Sequence, residues 1–332
     1  MGQVTDEEVT GPGEVLGGAE PGGAVIGRTP WQIFWMRFRK DRIALGAGVF
    51  LVLLAALAVA APIIARGVVH HDPNALFRET LNEIGLPVVG PGREFWFGVD
   101  TSGRDVFVRT IYGARTSLVV ALLSTGFAVG LGILLGSLAG YLGGWVDTVI
   151  SRAIDLTLSL PVLLFSIGIA ATCSITAEGC LGGLIEPGIS LVTAIIALFT
   201  WPYIGRIVRG QVLTIRNKEF IEAARAMGAS TGRILLRDVL PNLAAPVIVY
   251  GTLIIPSNIL FEAALSFLGV GIPPTTPSWG RMISDAARGQ LYTVAWWMLF
   301  FPGMALVLTT LAFNLVGDGL RDALDPRTQV TG

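Results

Sequence analysis

Charged side chains are scarce in this chain. Only 14% of its 332 residues are charged, against 52% hydrophobic, and the mean hydropathy is +0.68. A soluble domain carries roughly 25% charged residues, so this chain lacks the polar surface to cover a globule and a bilayer is its natural solvent. A basic excess is missing too. The formal net charge is −1, which removes the electrostatic basis for nucleic-acid binding. Lysine occurs only at Lys40 and Lys218, and neither follows a glycine. The chain therefore has no G-x-x-x-x-G-K-[ST] phosphate loop, and no cofactor is expected to be bound by it. Histidine occurs only as the neighbours His70 and His71, before Asp72 and Pro73. Adjacent residues rarely aim at one ion, so a solvated turn and no metal site are expected there. No set of paired groups suits catalysis at membrane depth, and no enzymatic role is expected.

What the chain does have is length without charge. A helix needs about 20 apolar residues to cross a bilayer, and six stretches free of Asp, Glu, Lys and Arg qualify: Ile43–Ala65, Thr116–Val146, Leu156–Ala177, Pro187–Gly205, Val239–Phe261 and Gly289–Gly317. A seventh, Ala263–Gly280, contains "GIPPTTPSWG"; its adjacent prolines cannot sustain a helix, so a loop or re-entrant segment is expected. No ionisable residue falls inside the six cores. Ion-driven carriers usually keep such groups along their path, so a self-sufficient secondary carrier is disfavoured; Ser257, Asn258 and Asn314 are the strongest polar groups left. Prolines 161, 202, 246, 256 and 302 are read as helix kinks that membrane spans tolerate. Gly132, Gly136 and Gly140 share a helix face and admit close packing, either within the chain or against a partner.

Arginine sets the orientation. No basic residue lies between Arg152 and Arg206, whereas residues 206–238 hold seven: Arg206, Arg209, Arg216, Lys218, Arg225, Arg233 and Arg237. The positive-inside rule puts this loop in the cytoplasm, and an even span count puts both termini there. Residues 1–30, glycine-rich and acidic, read as a disordered tail and not as a signal peptide, which begins basic and apolar. Residues 31–65 read as an entry segment and an uncleaved first span, 66–115 as an outer cap, 116–320 as a five-span core, and 321–332 as a cytoplasmic tail. Cys173 and Cys180 fall near the outer end of the third span; a disulfide and two free thiols are both open readings.

Within the basic loop, "KEFIEAARAMGASTGRILLRDVLPN" (Lys218–Asn242) is charged and helix-forming in otherwise apolar surroundings. Asn217 can cap a helix whose first turn holds Glu219 and Glu222. Phe220, Ala223, Ala224 and Met227 supply a slim apolar face, Gly228 ends the helix, and Ser230 or Thr231 starts a second. Such an element, spanning 217–232, suits insertion into a cleft on a separate energy-supplying subunit.

Glu222-Ala223-Ala224 with Gly228 and Leu240-Pro241 resembles the EAA motif of ABC-importer permeases, with Asp238 where that family often has isoleucine. "GVDTSGRDVFVRTIYGARTSL" (Gly98–Leu118), "ALSFLGVGIPPTTPSWGRMI" (Ala264–Ile283) and "AFNLVGDGLRDALDPR" (Ala312–Arg327) resemble the second permease of dipeptide/oligopeptide transporters, with Val99 where threonine is common. The resemblance covers Trp31 to Arg327. It implies an all-α integral membrane protein with six transmembrane helices in the type I ABC-importer permease fold, in a bacterial cell membrane. It further implies a heterodimer with a homologous permease, cytoplasmic ATPase subunits that bind ATP and Mg, and an extracytoplasmic solute-binding protein. Lys218, Glu222, Ala223, Ala224, Arg225 and Gly228 would form the ATPase-coupling helix, with Lys218 and Arg225 pairing with ATPase acids. Gly98, Asp100, Gly103, Arg104 and Asp105, and Asp318, Arg321 and Asp322 at the other end, would contact partners or a gate. The implied cargo is peptide; nickel, glutathione and other small solutes belong to close relatives.

Overall fold

The structure, a computed structural model, describes residues 30–324 apart from 176–179, 181, 182 and 184. The acidic tail and the end of the "GDGLRDALDPR" stretch thus lie outside the described residues. Helix dominates the described residues, which hold no strand beyond three isolated bridges. A short helix α1 (Pro30–Phe38) leads into α2 (Arg42–Ile64), which Asp41 caps by accepting the Ile43 and Ala44 amides at 3.0 Å each. A cap of mostly irregular chain follows. Then come α3 (Val106–Leu142), α4 (Gly144–Ser159), α5 (Val162–Ile175) and α6 (Ile189–Ile215). Two short helices, α7 (Glu219–Ala226) and α8 (Thr231–Ile234), precede α9 (Leu240–Phe267), α10 (Trp279–Ala287) and α11 (Trp297–Leu324).

Five helical segments are long and apolar enough to cross a membrane, and the α4–α5 pair is a sixth, bent by 90°. A continuous third span over Leu156–Ala177 was expected, and the bend corrects it. Leu160, held by the ring of Pro161, takes extended backbone at φ −77°, ψ 141°, because a residue preceding proline is pushed out of the helical region. Helix direction shows that the bent pair makes one crossing. Gly132 packs on Ile204, Gly136 on Val208 and Gly140 on Val212, so α3 and α6 run parallel and an odd number of crossings separates them. By contrast α2 and α11 run antiparallel, with Ala44 against Gly319 and Gly48 facing Val316. The start of α2, the end of α11 and the α7–α8 element therefore share one side, and the cap, the end of α5 and α10 share the other.

The three glycines are spent inside the chain. A Cβ on Gly132 would sit 2.5 Å from Ile204 Cγ2, on Gly136 2.6 Å from the Gly205 carbonyl oxygen, and on Gly140 2.8 Å from Val212 Cβ. At mid-depth a polar rung ties three helices: Asn258 Nδ2 donates to Thr125 Oγ1 at 2.8 Å and Asn258 Oδ1 accepts from Thr200 Oγ1 at 3.0 Å. Further out, α9 runs past its expected end and buries Glu262 completely, where Ser117 and Ser266 donate to its two oxygens at 2.8 Å each. The expectation of spans without ionisable groups is thereby corrected. Serines from α3 and from the next turn of α9 satisfy the carboxyl group that a bilayer would otherwise reject.

The "IPPTTPSWG" segment is shorter than a whole re-entrant stretch. The chain leaves α9 after Phe267, turns with Gly269 and Gly271 at φ +81° and +107°, and re-enters helix at Trp279. Trp279 is fully buried, its Nε1 donating to the Thr110 carbonyl at 3.0 Å. Gly280 lies so close to α9 that a Cβ would meet Ala263 Cα at 2.5 Å.

On the same side, α3 begins at Val106, ten residues before its charge-free stretch, because Asp105 caps it through the Phe107 and Val108 amides at 2.8 and 3.1 Å. His71 Nδ1 lies 2.7 Å from the second oxygen of Asp105, and its ring packs on Phe77 and Phe95 at 4.6 and 5.0 Å between centroids. Of the expected solvated histidine turn, His70 is exposed as expected, whereas His71 lies in the middle of the cap's small aromatic core. Asp105→Ala removes both functions, and a loss of about 1–2 kcal/mol is expected. Asp105→Asn, which keeps the cap, should recover most of it; thermal unfolding of the purified complex reads the difference.

Candidate functional site

The α7–α8 element is built to be held by one face. In α7, Ile221 and Ala224 are buried among Ile215, Ile234, Val239 and Leu243, one helical turn apart and so on one face. Phe220 and Met227, at 44% and 81% exposure, point away with Ala223 between them. Phe220, Ala223, Ala224 and Met227 were expected on a single face; Ala224 belongs to the inner one, with Ile221, which composition alone did not single out. Glu219, Glu222 and Lys218 are exposed around the outer stripe. The cap of α7 is Lys218, without a side-chain bond, and not Asn217. Its end is a Schellman turn: Gly228, at φ +80°, donates to Arg225 O at 2.9 Å, and Ala229 donates to Ala224 O at 3.0 Å. Only glycine enters that region without strain. Arg225 does not reach freely into the cytosol. Its Nε donates to Tyr141 Oη at 3.3 Å and its guanidinium lies 5.2 Å over the Tyr141 ring, so it braces α7 on the end of α3.

Above this element a groove of about 550 Å³ opens between α5, α6 and α9. Its polar lining is Thr200, Tyr203, Tyr250, Ser257 and Asn258. Tyr203 and Tyr250 are 53% and 41% exposed, and Ser257 is also open. Two of the polar residues singled out from sequence, Ser257 and Asn258, thus share one surface, while Asn314 lies elsewhere on α11. Below the groove α4 is clamped to α6 by Asp147 with Arg209, at 2.8 Å to Nη2, and by Asp155 with Arg206 at 2.9 Å.

On the opposite side the expected cap residues pair within the chain. Asp100 accepts the Ser102 and Arg104 amides at 2.8 and 3.0 Å and Arg104 Nε at 2.7 Å. Gly98, at φ +75°, makes room for Trp297, whose Nε1 donates to Val99 O at 3.0 Å; a Cβ there would lie 2.6 Å from that nitrogen. Gly103, at φ +77°, lies against the Phe77 carbonyl. Arg109, in α3, joins them and was missed because the stretch was read as loop; its Nη1 donates to Pro73 O at 3.1 Å and its Nη2 to Pro274 O at 3.2 Å. Asp318, Arg321 and Asp322 are exposed at the end of α11. Cys173 and Cys180 form a disulfide, on the side away from α7.

The α7 helix is thus anchored on one side and bare on the other. The chain is a member of the family described as binding-protein-dependent transport system inner membrane component, which matches residues 132–330; residues 29–83 match the N-terminal TM domain of oligopeptide transport permease C. It is therefore a permease subunit of an ABC importer, a multi-pass protein of the bacterial inner membrane. The glutathione transport system permease protein GsiD of Shigella flexneri serotype 5b (strain 8401) is 41% identical over 301 residues, 90% of this chain and 91% of its own. GsiD of Escherichia coli O6:K15:H31 (strain 536 / UPEC) is 40% identical over the same length. An inward-facing structure of the MetNI methionine ABC transporter shares the fold at a TM-score of 0.53 and 17% identity, covering 66% of this chain and 97% of its own.

Proposed function

We propose that this chain forms half of a translocation path for di- and oligopeptides, opposite a homologous permease, and that cytoplasmic ATPase subunits drive it through α7. The observation that carries the reading is the bare Phe220–Ala223–Met227 stripe on a helix whose other face is fixed to the bundle. An exposed apolar patch among charges marks a partner surface. The rigid Ile221 and Ala224 anchorage lets a push on that surface reach α6 and α9, which wall the groove. ATP and Mg are bound by the partner ATPases, and an extracytoplasmic solute-binding protein delivers the cargo. Transmission requires that the ATPase state prefer one lever position over the other, since tight binding alone shifts nothing.

A tagged pull-down in mild detergent, wild type beside Glu222→Arg, tests this. A second permease and ATPase chains should co-purify with the wild type, and the ATPases alone should be lost from the variant. A wild-type chain that purifies alone and still transports in vesicles would instead identify a secondary carrier. Glutathione is the second reading of the cargo, favoured by the 40% and 41% identical relatives that carry that name. Competition between labelled glutathione and a dipeptide for uptake separates the two, and entry of nickel without either overturns both.

A further inference from the structure

The outer side of the molecule carries a charge imbalance that its own residues do not resolve. Arg104, Arg109, Arg281 and Arg288 converge on two carboxylates, Asp100 and Asp285. Arg104 Nε lies 2.7 Å from Asp100 and its Nη2 3.7 Å from Asp285; Arg109 Nε lies 3.8 Å from Asp100. Arg281 and Arg288 lie 3.4 and 3.6 Å from the same Asp285 oxygen. Four guanidiniums thus face two carboxylates. Asp105 lies nearby, but its oxygens are on the α3 amides and His71 rather than on a guanidinium. The remaining acceptors, the Pro73 and Pro274 carbonyls and Asn74 Oδ1, are neutral. They disperse positive charge without cancelling it. Arg109 Nε and Arg281 Nε, both buried, have no hydrogen-bond acceptor.

Burying like charges together is costly unless an opposite charge completes the set. Three of the four arginine side chains are 1–11% exposed, but Arg288 is 56% exposed and marks the open edge. It sits on the turn with Gly289 and Gln290, at φ +61° and +56°, which leads to α11. The edge faces the extracytoplasmic side, opposite α7. We propose that this cluster is a docking receptor for an acidic side chain of the extracytoplasmic solute-binding protein, whose carboxylate meets Arg288 at the rim and offsets the excess charge behind it. The inference rests on the binding-protein partnership in the proposed function. It also connects docking to transport: Asp285 and Arg281 are on α10, and Arg104 and Arg109 hold the Pro274 loop, so the docked carboxylate pulls on the segment that covers the outer ends of α3 and α9.

The test uses the whole importer in nanodiscs of zwitterionic lipid, with its binding protein immobilised and affinity read by biolayer interferometry at about 50 and about 300 mM salt. Arg288→Gln should weaken capture about tenfold and flatten its salt dependence, Arg288→Lys should retain most of the affinity, and Arg288→Glu should weaken it about a hundredfold. Arg288 is largely exposed, so the variants should unfold at the wild-type temperature. Capture of wild type, Gln and Glu variants with equal affinity and salt slope overturns the inference and leaves the proposed function standing. A wild-type importer that retains its ATPases but captures no binding protein removes the partnership itself. Thermal stability that depends on phosphatidylglycerol and on Arg288, with capture unchanged, assigns the cluster to lipid and also overturns the inference.

Discussion

Gly136→Leu is expected to leave no assembled protein, while Gly130→Ala, less than two turns away on the same helix, is expected to be neutral or slightly stabilising. A Cβ at Gly136 would lie 2.6 Å from the Gly205 carbonyl oxygen and 2.9 Å from Val208 Cβ. The first of these is backbone, so no rotamer change relieves it, and α3 and α6 must move apart. Overpacking a core typically costs about 1–3 kcal/mol when side chains can shift, and here they cannot. Separation would also strip contacts at Gly132 and Gly140, which lie equally tight on α6. A Cβ at Gly130 would meet no atom within 4 Å, and removing a glycine from a helix interior favours the helix by roughly 0.5–1 kcal/mol. Gly136→Ala should fall between, with a lowered unfolding temperature. Fluorescence-detected size exclusion and thermal unfolding separate the three. A Gly136→Leu chain that assembles at wild-type yield would show that α3 and α6 do not meet as described.

The small-residue spacing of those glycines was legible in the sequence, but their partner was not. Spacing reports which side of a helix is bare, and only the fold says what fills it. The same division runs through α7. Its charge, its glycine stop and its cytoplasmic side follow from composition and arginine counts, yet the inner face depends on Ile234, Val239 and Leu243, which are distant along the chain from Ile215 and meet it only after folding. Span number was readable from apolar length; span ends were not. A charge-free stretch stops at the first ionisable residue, whereas a helix stops where its backbone runs out of partners. Hence α3 reaches back to its Asp105 cap and takes in Arg109 and Arg115, and α9 continues through Glu262. The 90° break at Leu160–Pro161 was hidden for a related reason: a proline in a span more often only kinks it, and the α4–α6 ion pairs that hold α4 aside are invisible to hydropathy.

Glu262 gives the second large expected effect, and it separates a structural role from a transport role. The side chain has no exposed surface and joins α3 to α9 through Ser117 and Ser266, close to where Gly280 of α10 lies on Ala263. Glu262→Ala leaves a cavity and two buried hydroxyls without their acceptor, a combined loss of about 2–4 kcal/mol. Glu262→Gln keeps the volume and an acceptor oxygen, and is expected to cost about 1 kcal/mol. If the carboxyl group is a structural tie, uptake by the reconstituted importer should follow unfolding temperature across the two variants, with Gln near wild type in both. A Gln variant that unfolds like wild type yet fails to transport would mean that the carboxyl group itself takes part in the cycle. Transport that survives in Gln but is lost in Ala, in step with stability, places Glu262 where the geometry does: at the joint between the outer ends of α3 and α9.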